Sequence, residues 1–139
     1  MTPKEYLLQA QNLKRRVRLA QDKVHEIETM IASVRAIQYD KISVQTSPAG
    51  DRLAADMIRL EAAREMMIQQ AADYYTIYQT IEGQIAQTEP KLHRDILSLR
   101  YLQEHSLQQI ARLLKYSEKY ILNEHGKALA EFGRRFLGM

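Results

Sequence analysis

The stretch TPKEYLLQAQNLKRRVRLAQDKVHEIETMIASV, residues 2–34, sets the fold class. Tyr6, Ala10, Leu13, Val17, Ala20, Val24, Ile27, Ile31 and Val34 step through it by alternating fours and threes. An α-helix turns once per 3.6 residues, so this spacing holds the apolar positions on one narrow face. A seam kept up for four heptads predicts one long helix packed in coiled-coil fashion. Thr2 as N-cap, Pro3 at the first helical position and Glu5 closing a capping box mark its start. At 1.5 Å per residue the helix is roughly 50 Å long.

The alternation stops over YDKISVQTSPAGD, where Ser47-Pro48 and Gly50 read as punctuation. It resumes near Asp51 with Leu53, Met57, Leu60, Met67, Ala71, Tyr74, Tyr78, Ile81 and Ile85, Arg64 taking one seam position. Two seams of matching length joined by one loop predict an antiparallel helical hairpin, with helices over about 3–38 and 51–88. Met30, Ile37, Ile58, Ile68, Tyr75 and Ile77 fall off the seams. A two-helix hairpin cannot bury both stripes, so a homo-oligomer or packing against the C-terminal helices is expected.

Composition narrows the function classes. The chain has 139 residues, one domain's worth on the usual scale, and few Gly or Pro, which leaves little room for strands. It has no Cys, hence no disulfide or thiolate metal site, which fits a cytoplasmic setting. No secretory signal and no stretch of 18 apolar residues is present, so neither export nor a membrane partner is expected. Residues 1–89 hold 11 Lys/Arg against 12 Asp/Glu, whereas residues 90–139 hold 9 against 5. A basic module on a near-neutral body points to a polyanionic partner for the module. The expected division is therefore 1–89 as the hairpin and 90–139 as the module.

Within the module, Pro90 opens a helix carrying Ile96, Leu97, Leu99 and Leu102, and SLQQIARLLKYSEKYILNEHGKAL follows at 106–129. Ser106 and Gln109 form a capping-box start, and Leu107, Ile110, Ala111 and Leu114 give a two-turn helix with one apolar face. After a break at Lys115-Tyr116, Ser117 is a second N-cap. The helix it opens carries Ile121, His125, Ala128 and Phe132 on one face. A short helix, a tight turn and a longer helix after a supporting helix is the helix-turn-helix layout. The small Ala111 side chain lets the two helices cross closely.

Residues 106–132 resemble, without a gap, region four of bacterial primary sigma factors, which reads the −35 promoter element. The match runs through Ser106, Leu107, Ile110, Ala111, Ser117, Ile121, Lys127, Ala128 and Leu129. A closer resemblance is to small phage-encoded regulators of late transcription, the RinA and ArpU-like group. Tyr116-Ser117-Glu118 is similar to their turn, and His125 through Leu129 to their motif ending. The resemblance implies that Glu118, Lys119, Leu122 and Asn123 face the major groove. Asn suits adenine, Lys guanine, Glu cytosine and Leu a thymine methyl. It further implies phosphate contacts from Arg112, Lys115, Ser117 and Lys127. Primary sigma factors carry base, acid, base where this chain has Glu118, Lys119 and Leu122, so a target other than the consensus element is expected.

The resemblance thus implies an all-α, sequence-specific transcription regulator of phage or prophage type, acting on double-stranded DNA in the bacterial cytoplasm, with RNA polymerase a second expected partner. Two alternatives stay open: a module that binds polymerase without reading DNA, and a DNA-packaging protein of the small terminase type. The run Lys14-Arg15-Arg16-Val17-Arg18 reads as the solvated face of a coiled coil rather than a nucleic-acid contact. Tyr74, Tyr75 and Tyr78 read as core or interface aromatics. His25, His93 and His105 lack a second ligand at i+4 and His125 reads as a packed helix residue, so no metal or cofactor is expected. Nor is any catalytic residue: no phosphate loop, nucleophile–base pair or carboxylate cluster is visible.

Overall fold

A computed structural model of the chain describes residues 1–40 and 48–139. All the regular structure there is helical: α1 (Pro3–Asp40), α2 (Pro48–Ala86), α3 (Lys91–Leu97), a π-helical turn (Ser98–Leu102), α4 (Leu107–Leu114) and α5 (Glu118–Phe136). The fold is all-α, and its first two helices form the long hairpin. The expected loop residues 41–47 lie outside the described residues. Pro48 and Gly50, read as loop punctuation, instead belong to the first turn of α2. A proline at the first helical position loses only an N–H that would have no intrahelical partner there.

Both seams hold. Every seam residue of α1 and of α2 is buried or half-buried, and Met30, Ile37, Ile58, Ile68, Tyr75 and Ile77 are exposed. The capping box at the start of α1 is also made: Glu5 N donates to Thr2 Oγ1 at 3.1 Å and Thr2 N to Glu5 Oε2 at 3.3 Å.

Packing divides the described residues into two compact units, Arg16–Tyr74 and a second made of Met1–Arg15 with Tyr75–Met139. The sequence division at residue 89 marks where the hairpin gives way to short helices. By packing, the first turns of α1 and the last turns of α2 go with those short helices. In the first unit the Arg16 guanidinium lies 5.6 Å from the Tyr74 ring centre, and Arg35 pairs with Glu61 at 3.5 Å. Partners that rise along α1 as they fall along α2 make the pair antiparallel. Ala20, Ile27 and Ile31 are buried there.

The second unit holds the larger core. Leu7, Ala10 and Leu13 of α1 are buried, as are Ile81 and Ile85 of α2 and Ile96, Leu97, Tyr101, Ile110, Ile121 and Phe132 of the C-terminal helices. Tyr6 donates its hydroxyl to Gln84 Oε1 at 2.6 Å, and its ring sits 5.9 Å from that of Phe132. Gly133 is required by a close approach: a Cβ there would come within 2.7 Å of Pro3 Cγ, part of a rigid ring. Three side chains of α1 also hold the segment that leads into α4. Gln11 Nε2 donates to Arg100 O at 3.2 Å, Lys14 Nζ to Leu102 O at 3.4 Å, and Arg15 pairs with Glu104 at 3.4 Å. The start of α1 is thereby built into the platform on which the C-terminal motif stands.

Candidate nucleic-acid interface

Both helices of the motif begin where their sequence signals place them. Gln109 N donates to Ser106 Oγ at 3.1 Å and Ser106 N to Gln109 Oε1 at 2.9 Å, the reciprocal capping box of α4. Tyr120 N donates to Ser117 Oγ at 3.1 Å, capping α5. Between them Lys115 closes α4 in the left-handed conformation, φ 63°, a region that favours glycine. This one residue turns the chain sharply enough for α5 to cross α4. Ile96, Ile110, Ala111 and Ile121 form the buried centre of that crossing, with Leu92, Leu99, Leu107 and Leu114 packed round it.

The inner face of α5 is Ile121, His125, Ala128 and Phe132, all buried as their spacing predicts. Two polar contacts fix its rotation. The π-helical turn brings Tyr101 to His125, phenol oxygen to Nε2 at 2.8 Å. Burial pushes the Tyr101 hydroxyl up to about 12, so it stays protonated and donates to the imidazole lone pair. Burial, with smaller contributions from Arg100 and Lys4, holds His125 down to about 4, so the ring is neutral at physiological pH. On the flank of α5, His93 of α3 donates from Nε2 to Glu124 Oε2 at 2.7 Å, and Lys127 Nζ donates to Glu124 Oε1 at 3.3 Å. The hydrogen bond from His93, ahead of the help from Lys127, holds the Glu124 carboxyl below its ordinary range.

The His125 environment makes stability depend on pH. An unfolded histidine takes up a proton near 6.5, and the folded one does so only near 4. Between these values the unfolded state binds the extra proton, so stability is complete above 6.5 and falls as pH drops toward 4. The loss expected across this window is about 2 kcal/mol. Denaturant melts at pH 7 and pH 4.5 check it. His125→Gln cannot titrate and should flatten the difference; an unchanged slope in that variant would place the effect elsewhere.

The outer face of α5 carries the side chains expected to read bases. Glu118, Lys119, Leu122 and Asn123 are all exposed, Leu122 to 57% despite its apolar chain. Of the expected phosphate contacts, Arg112, Lys115, Ser117 and Lys127 are exposed too. Ser117 Oγ is occupied as acceptor by the cap, which leaves its hydroxyl hydrogen as a donor. Lys127 shares Glu124, and with 69% of its side chain open the pair is weak and can be exchanged for a phosphate. No protein-family model, curated protein or solved structure matches this chain.

Sequence reasoning missed several members of this region. His93 offers no metal-ligand spacing, yet its i+3 and i+4 spacing to Ile96 and Leu97 puts it on the inner face of α3. Glu124 gave no signal, because its partner is 31 residues away. Tyr116 and Tyr120 form an exposed aromatic pair beside the turn, ring centres 4.9 Å apart. The four basic residues of the run Lys14–Arg18 are exposed, as a solvated face should be, while Val17 keeps its half-buried seam position; Lys14, Arg15 and Arg16 each have partners.

Proposed function

We propose that this chain is a sequence-specific DNA-binding regulator of transcription, of the phage or prophage type that its C-terminal motif resembles. The observation that carries the reading is the division of α5. Ile121, His125, Ala128 and Phe132 anchor it inward, and Glu118, Lys119, Leu122 and Asn123 stand outward on successive turns beside Arg112, Lys115 and Lys127. A helix held this firmly, with donors and acceptors on its free face and cations along its border, has the equipment for a major groove. Double-stranded DNA is its partner, and the bacterial cytoplasm its place of action. The exposed apolar side chains of the hairpin support a homo-oligomer, which would match a two-fold target site.

A second reading has its own support. Leu113, Tyr116, Tyr120 and Leu122 leave apolar surface open around the turn, which suits a protein partner such as RNA polymerase. One titration separates the two. A duplex is enriched from a random pool on the wild-type chain, and its affinity is measured against salt. Asn123→Ala should cost about 1–3 kcal/mol on that duplex and relax one base position. Lys127→Ala should weaken enriched and scrambled duplexes alike, lowering the salt slope by about one counterion. If neither variant changes DNA affinity and both weaken a polymerase complex, the protein-binding reading replaces the first.

A further inference from the structure

Nothing among the described residues explains Gly126. It sits in the middle of α5, exposed, between Asn123 and Lys127. Its φ is not among the positive ones, so the backbone there makes no demand for glycine. A Cβ built on it meets nothing within 4 Å. Gly133, on the same helix, is the instructive contrast, since Pro3 fills the space where its Cβ would stand. A glycine inside a helix disfavours it relative to alanine, through backbone entropy that the fold must overcome. At Gly126 the folded chain returns nothing for that loss.

We infer that Gly126 is where the bound duplex comes closest to the α5 backbone, and that it sets the depth at which the helix enters the groove. This rests on the DNA-binding reading above. The geometry favours DNA over a protein partner at this position. At 100° per residue, Gly126 lies within 60° of Lys119 and Asn123 and within 100° of Lys127. One turn away Gly126 is flanked by Leu122, Asn123 and Ala130, with Lys119 and Lys127 on the same side. Base edges suit Asn123 and Lys119, a thymine methyl suits Leu122 and phosphate suits Lys127, whereas the apolar Leu113 and Tyr116 belong to the turn at the other end. Without a Cβ, the helix can settle deeper, and Asn123 one turn earlier then reaches a base edge directly. Glycine serves elsewhere in the same way, by letting backbone approach a ligand closely.

The test separates stability from binding. Gly126→Ala and Gly126→Leu are made in the full chain, and each is measured by thermal melting and by affinity for the duplex enriched on the wild type. Both variants should melt at or above the wild-type temperature, alanine by roughly 3 °C, since the helix gains propensity and the space is open. Affinity should nonetheless fall, about 10-fold for alanine and further for leucine, with the larger loss on the enriched duplex than on a scrambled one. A stabilised Gly126→Ala that binds as well as the wild type would overturn the inference and leave the DNA reading intact. Lowered melting in Gly126→Ala would also overturn it, by showing that the chain itself needs the glycine. A wild-type chain that enriches no duplex at all removes the DNA reading and this inference with it.

Discussion

A chain beginning at residue 16 is expected to lose the cooperative fold of its helix-turn-helix, although the motif starts ninety residues further on. The first fifteen residues supply Leu7, Ala10 and Leu13 to the core of that unit and the Pro3 ring that meets Gly133. They also supply the three side chains that hold the segment leading into α4. Truncating one buried leucine costs about 2–5 kcal/mol, and a whole domain is stable by about 5–15 kcal/mol. Losing two leucines together removes about 4–10 kcal/mol, comparable with the whole stability of such a unit before Ala10 and the three clasping side chains are counted. Gly133→Val probes the same contact more gently, forcing α5 and the start of α1 apart, and should lower the melting temperature without abolishing the fold. The check is a thermal melt by circular dichroism on both chains. A shortened chain that melts sharply near the wild-type temperature would show that residues 90–139 fold without the first fifteen residues.

Ile121→Asp should be nearly as damaging. Ile121 is fully buried at the crossing of α4 and α5, among Ile96, Ile110 and Ala111, and no cation is part of that cluster. A carboxylate there either stays charged in apolar surroundings or takes up a proton and remains without a partner. Either outcome costs several kcal/mol. Ile121→Val, which removes one methylene, should cost only about 1 kcal/mol and serves as the control. Equal melting of the aspartate variant and the wild type would mean that Ile121 faces solvent.

Much of this was legible in the sequence, for a definite reason. The two seams, the Thr2 and Ser106 capping boxes and the buried face of α5 are all set by residues within a turn or two of one another. Local spacing therefore encodes them, and the structure places each where it was expected. What escaped was set by distance along the chain. The bond from His93 to Glu124 and the clasp of Lys14 and Arg15 on the 102–104 segment join residues 31 to 89 positions apart, which no periodicity carries. The break at Lys115 was legible, but its left-handed conformation was not, because it lacks the glycine or asparagine that usually announces one. Pro48 and Gly50 misled, because a proline that often ends helices can equally open one.

DNA reading by α5 is tested most directly in the cell. The tagged chain is expressed in bacterial cells and crosslinked, and the attached DNA is sequenced genome-wide, with Asn123→Ala run in parallel. Sharp peaks beside promoters, sharing one motif and fading in the variant, are the expected result. An absence of peaks would contradict it, and a single peak at a packaging site would contradict the role in transcription.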